Sequence, residues 1–176
     1  MGHTLLLTGR PGVGKTTVVK QVAAALGQRA GGFYTEEIRG PGGRKGFRLV
    51  TLDGHAAIMA HVDVRSRHRV GRYGVDVATL DSVGVAAIRM AIESDDTAAV
   101  VVDEVGKMEL FSSEFRGAVI KAVSSRKIVV ATVMQKENIW ASALKAMPQV
   151  TVWEITEATR DQMPERVIQW ISVSGT

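Results

Sequence analysis

The chain has 176 residues, 45% of them hydrophobic, with 22 Lys and Arg against 18 Asp and Glu, a formal net charge of +4 and no cysteine. That length suits one domain, and the missing cysteines exclude disulfides and thiolate-held zinc. No apolar run approaches the roughly 20 residues of a membrane-spanning helix, and the mild positive surplus suits a polyanionic ligand.

Residues 3–8 form a short apolar run that predicts a buried strand. Gly9-Arg10-Pro11-Gly12-Val13-Gly14-Lys15-Thr16 follows and fits G-x-x-x-x-G-K-[ST], the phosphate-binding loop of P-loop NTPases. From Thr16 and Thr17 to Leu26 the chain predicts a helix, with Val18, Val19, Val22, Ala25 and Leu26 on one face. Gly27 is placed to end it. The residue types fit the chemistry. Gly9, Gly12 and Gly14 let the backbone turn tightly and aim N–H groups at phosphate oxygens. The helix N-terminus adds its positive end. Lys15 reaches the β- and γ-phosphates, and the Thr16 hydroxyl binds Mg²⁺. A glycine-rich turn that binds nothing has no use for Lys-Thr directly after its last glycine.

Residues 31–60 predict a β-hairpin with a turn at Gly40-Pro41-Gly42-Gly43 and a third short strand around 56–60. This antiparallel element is expected as an insertion over the nucleotide side of the domain. Residues 61–80 hold the basic cluster Arg65-Ser66-Arg67-His68-Arg69 and a short strand and loop through Asp76. Asp81 is the expected cap of a helix over 82–93. The run 98–104 is continuously apolar until Asp103 and Glu104, as in a strand buried on both faces of a parallel sheet. A P-loop needs such a strand, ending in an acid that serves Mg²⁺. Asp103 takes that role, and Glu104 is placed to deprotonate an attacking water, a contribution of about 10²–10⁴-fold.

Ser112 or Ser113 caps a helix through Val123. The strand 127–132 ends in Thr132 and is expected between the two motif strands, with Thr132 at the attacking water or γ-phosphate. A helix over 139–147, a strand over 150–155 and a last helix over 160–171 complete the chain. Thr159-Arg160-Asp161-Gln162 fits a capping box for that helix. Alternating strands and helices imply an α/β three-layer sandwich with a mostly parallel sheet, the nucleotide at the carboxyl ends of the strands.

Beyond the generic motifs the chain resembles the THEP-type nucleoside-triphosphatases, called cancer-related NTPases in animals. The resemblance rests on Thr8 through Thr17, Gly32-Phe33-Tyr34-Thr35-Glu36-Glu37, Gly46-Phe47 with Val50-Thr51-Leu52, Val70-Gly71-Arg72-Tyr73 with Val75-Asp76, and Val102-Asp103-Glu104-Val105-Gly106-Lys107-Met108-Glu109-Leu110-Phe111-Ser112. It implies a RecA-like core and Mg²⁺-dependent hydrolysis of ATP, GTP, CTP, UTP or TTP to the diphosphate and phosphate, with little base selectivity. The chain departs from the family in two places. It has Ala131-Thr132-Val133-Met134 where Gly-Thr-Ile-Pro is usual, and Thr159 where Asn usually precedes Arg160-Asp161.

A cation at the γ-phosphate can be worth about 10³–10⁵ in rate. Lys107 is the first candidate, followed by Arg72, Arg39 and Lys45, and Arg160 is placed to meet the base. Glu36 and Glu37 read as surface charges on the hairpin. The expected state is a cytoplasmic monomer with no membrane partner. Two other readings fit the loop: a small nucleoside or nucleotide kinase, and a slow nucleotide-dependent switch associated with nucleic acid. The first lacks an arginine-rich lid at the usual spacing. The second lacks aromatic residues among the 65–72 basic residues to stack on bases.

Overall fold

The structure is a computed structural model that describes residues 3–175. Among the described residues nine strands form one sheet. They are β1 (Thr4–Thr8), β2 (Ala30–Gly40), β3 (Gly43–Thr51), β4 (Ala56–His61), β5 (Arg69–Val70), β6 (Tyr73–Val75), β7 (Ala99–Val105), β8 (Ile128–Val133) and β9 (Val150–Glu154), in spatial order β5-β6-β4-β3-β2-β7-β8-β1-β9. From β2 to β9 neighbouring strands run parallel, while β3, β4, β6 and β5 pair antiparallel. The mostly parallel sheet predicted is thus parallel over five strands and antiparallel over four.

The helices are α1 (Lys15–Leu26), α2 (Val77–Thr79), α3 (Ala86–Glu93), α4 (Ser113–Val123), α5 (Ile139–Lys145) and α6 (Met163–Ser174). Side chains alternate across a strand, and the two cores follow that rule. Leu5 and Leu7 of β1 with Val130 of β8 pack under α1 and α6, against Val18, Val22, Met163 and Val167. Leu6, Val100, Val102, Val129 and Ala131 face the opposite layer of α3 and α4, where Ile88, Phe115 and Val119 meet them. Strands buried on both faces explain the continuous apolar runs.

The predicted hairpin exists, but it does not lie over the sheet. The start of β2, from Ala30 to Phe33, pairs parallel with β7, and from Phe33 onward β2 pairs with β3. One long strand therefore belongs both to the parallel sheet and to an in-plane antiparallel wing. The wing has a small core of its own, with Ala60, Tyr73 and Val75 packed by Phe47, Val62 and Met108.

Two helix starts differ from expectation. The 82–93 helix begins earlier, at Val77, because Asp76 rather than Asp81 caps it. The Asp76 carboxylate accepts from the Thr79 N–H and hydroxyl, both at 2.9 Å, and a π-helical stretch over Leu80–Val85 leads into α3. Asp81 instead accepts from the Ser112 hydroxyl, and Ser112 caps α4 by accepting from Phe115 N–H at 2.8 Å. The last helix begins later, at Met163. Thr159 does not cap it, because its Oγ1 accepts from the N–H of Thr156 in a local turn, and Pro164 sits in the first turn.

Candidate active site

The loop between β1 and α1 takes the shape its glycines permit. Gly9 has φ +152°, and a Cβ there would lie 2.6 Å from the carbonyl oxygen of Ile155, so the loop runs hard against the chain leaving β9. Gly14 precedes α1 in the left-handed region at φ +113° and offers no capping side chain. The first-turn N–H groups of α1 therefore remain for an anion. The Lys15 ammonium curls back over the loop and donates to the carbonyl oxygens of Gly9 at 2.9 Å and Arg10 at 3.2 Å, with only 9% of the residue exposed. Arg10 itself points outward to Glu157.

As the sequence predicts, β8 separates the P-loop strand β1 from β7, which carries Asp103 and Glu104. Asp103 is wholly buried. Its Oδ1 accepts from the Thr132 hydroxyl at 2.7 Å, and its Oδ2 accepts from the N–H and hydroxyl of Thr35 at 3.2 and 3.3 Å. Thr132 therefore holds a carboxylate, where the sequence suggested a contact with water or phosphate. Thr35 of β2 was not anticipated, and nothing local marks a contact that spans 68 positions.

Glu104 is half-buried. Desolvation, and then the neighbouring Asp103 charge, push its carboxyl above the ordinary range, while the Lys15 ammonium pulls it back. Glu109, also missed, is 4% exposed. Its carboxyl is pushed up to about 8, first by burial and then by the charge of Glu104, while the backbone N–H groups of Glu109 and Gly106 oppose the shift.

Lys15, Glu104, Lys107 and Glu109 line one cavity of about 660 Å³ with Gly9, Pro11 and Thr35. Of the other candidate cations, Arg39 is ion-paired to Glu37 at 2.5 Å, and Arg72 donates to the carbonyl of Arg44 and lies over the Tyr73 ring. Arg44, not weighed in the sequence, enters the cavity instead. Glu36 is held by Lys20 and Arg48, and Glu37 by Arg39 and Arg44, which keeps both carboxyls below their usual range. Arg160 comes from beyond β9. Its Cδ lies 3.8 Å from where a Cβ on Gly14 would stand. Among the described residues no three acidic, His or Cys side chains gather as a metal cage, and no helix is long and apolar enough to cross a membrane.

A glycine loop with a curled lysine at the carboxyl end of β1, and an Asp-Glu pair at the end of a strand one place removed, define a P-loop nucleotide-binding α/β protein. A family profile described as NTPase matches residues 4–168. The nucleoside-triphosphatase THEP1 of Thermotoga petrophila is 43% identical over 164 residues, covering 93% of this chain and 90% of that protein. The crystal structure of THEP1 from the hyperthermophile Aquifex aeolicus superposes with a TM-score of 0.86 at 34% identity, covering 96% of this chain and 98% of that one. The solution structure of a human cancer-related nucleoside triphosphatase gives 0.82 at 31%, covering 97% and 98%. The chain belongs to this NTPase family.

Proposed function

We propose that the protein hydrolyses nucleoside 5′-triphosphates, ATP and GTP among them, to the diphosphate and phosphate, with Mg²⁺ and little base preference. The observation that carries this reading is the convergence of Lys15 and Glu104 on one cavity, close enough for the Lys15 charge to act on the Glu104 carboxyl. The residues suit Mg²⁺. One buried carboxylate, Asp103, and one hydroxyl, Thr16, leave the remaining positions to phosphate oxygens and water, the donor set this ion prefers. When bound, the ion neutralises charge on the β- and γ-phosphates.

The loop N–H groups and Lys15 hold the phosphates in this reading. Glu104 takes the proton of a water as its oxygen attacks the γ-phosphorus, and the diphosphate leaves as the bond to the bridging oxygen breaks. Thr132 and Thr35 fix Asp103 so that it does not swing toward Glu104. Lys107, exposed at the cavity, meets charge on the γ-phosphate oxygens. Arg160 lies against the base, which makes few other demands on the chain and so leaves base identity open.

The test is phosphate release from γ-labelled ATP and GTP with Mg²⁺, by wild type and Glu104→Gln. The substitution should slow single-turnover release by about 10²–10⁴-fold while nucleotide binding persists. Equal rates would remove Glu104 from the reaction.

A further inference from the structure

The cavity does not stop at the γ-phosphate end of the loop. It continues into the wing, where Phe47 of β3, Met59 of β4 and Tyr73 of β6 line it together with Met108 and Met134. Phe47 and Tyr73 meet edge to face with ring centroids 5.5 Å apart. The Arg44 guanidinium lies over both rings, at 4.8 and 5.6 Å. It is fixed there by its Nε donating to the Tyr73 hydroxyl at 3.1 Å and its Nη1 donating to Glu37 at 2.8 Å.

Hydrolysis has no use for this half of the cavity. An attacking water takes about 30 Å³, while the cavity reaches past the phosphate end to Phe47, Met59 and Tyr73. In the reading given above the base lies against Arg160 and does not claim the space either. Arg160 follows β9 and lies near Gly14 at the start of α1, while the wing begins beyond β8, β7 and β2. The wing end has the character of a small-molecule site, apolar and aromatic with a few fixed polar groups. Thioethers and ring faces favour an aromatic guest, and a guanidinium already seated on two rings can extend the stack to a third. Glu104 lines the same cavity as these rings.

We propose that the wing pocket is a second substrate site, which takes a small aromatic or heteroaromatic alcohol and presents its hydroxyl to the γ-phosphorus beside Glu104. The proposal rests on the reading of Glu104 and the loop given above, with the alcohol in the place of water. The alcohol oxygen bonds to phosphorus, its proton passes to the Glu104 carboxylate, the bond from phosphorus to the bridging oxygen breaks, and the nucleoside diphosphate leaves with that electron pair. The products are a phosphate monoester and the diphosphate. Water reacts when the pocket holds no alcohol.

The experiment incubates the protein with Mg²⁺, γ-labelled ATP and, separately, benzyl alcohol, 2-phenylethanol, 3-pyridylmethanol and uridine, and separates labelled ester from labelled phosphate. Labelled monoester should form from at least one alcohol. The ester-to-phosphate ratio should fall at least tenfold in Phe47→Ala, which removes a wall, and in Met108→Trp, which fills the space. Should either variant melt early, the wild-type protein still decides: 3-methylpyridine, a ring without the hydroxyl, should suppress ester formation in a concentration-dependent way. Phosphate release with no ester from any of the four overturns the proposal. Ester formation indifferent to both variants and to 3-methylpyridine also overturns it. Absence of both phosphate and ester removes the hydrolase reading beneath it.

Discussion

Glu109 and Glu104 face each other across Gly106. A Cβ on that glycine would lie 3.1 Å from Oε2 of Glu109 and 3.2 Å from Oε1 of Glu104. The chain thus brings two carboxyl groups to one wall of the cavity and leaves the space between them free of any side chain.

Glu109 makes stability depend on pH. Its ordinary value is 4.5 and burial lifts it to about 8 in the fold. Below 4.5 both folded and unfolded chains carry the proton. Between 4.5 and 8 the unfolded chain releases it and the folded chain keeps it, so stability falls as pH rises through this window and levels above it. The wild-type-minus-Glu109→Gln difference in urea midpoint should fall steadily, toward a less stable wild type, from pH 5 to pH 8. A constant difference would show that Glu109 titrates normally.

Filling the gap between the two carboxyls should harm turnover more than folding. In Gly106→Ala the new methyl needs both carboxyls to give way by a few tenths of an ångström. Small misplacements of reacting groups can cost on the order of 10²-fold. We expect kcat for phosphate release to fall about ten- to a hundredfold, with a melting point close to wild type. A variant that melts early and retains full kcat would contradict this account.

Asp103 is buried and its carboxylate accepts from the hydroxyls of Thr35 and Thr132 and the Thr35 N–H, so its hydroxyl donors matter. Thr132→Val leaves Oδ1 without the 2.7 Å donor. Such an unsatisfied buried group costs about 1–3 kcal/mol. Denaturant unfolding should show that loss without nucleotide, and the Mg²⁺ concentration giving half-maximal turnover should move. No change in either would mean that water replaces the hydroxyl.

Ser112 joins two helices, capping α4 through Phe115 N–H and donating to Asp81 in the stretch before α3. Ser112→Ala removes both bonds. A lost cap alone costs about 0.5–2 kcal/mol, so unfolding free energy should drop by at least about 1 kcal/mol while turnover per folded molecule stays unchanged.

What the sequence discloses of this site is what lies in contiguous residues. The loop from Gly9 to Thr16 is legible because glycine spacing and Lys-Thr serve one purpose. Asp103 and Glu104 are legible because an apolar run buried on both faces ends at them. Thr35, Arg44 and Tyr73 are not, because they reach the site through strand pairings that no local pattern records. Asp76 and Asp81 are both acceptable caps, and only packing decides between them. Glu109 follows a lysine and a methionine in a turn, and its burial depends on how that turn folds back beneath Gly106. The dual pairing of β2 is hidden for the same reason: its sequence is compatible with a hairpin, and its first four residues join the parallel sheet only because β7 lies alongside.

The strands that carry the two halves of the nucleotide site, β1 and β7, are not paired with each other, and β8 lies between them. β1 registers on β8 with Leu7 opposite Thr132, and β7 registers on β8 with Val102 opposite Ala131. β8 is therefore the ruler between lysine and aspartate. A slip of one residue on either side would shift that half by about 3.3 Å and turn its inward side chains outward. Six residues of β8, all buried, thus set the span across which a triphosphate must fit, and a change in their packing would reach the chemistry as a change in length.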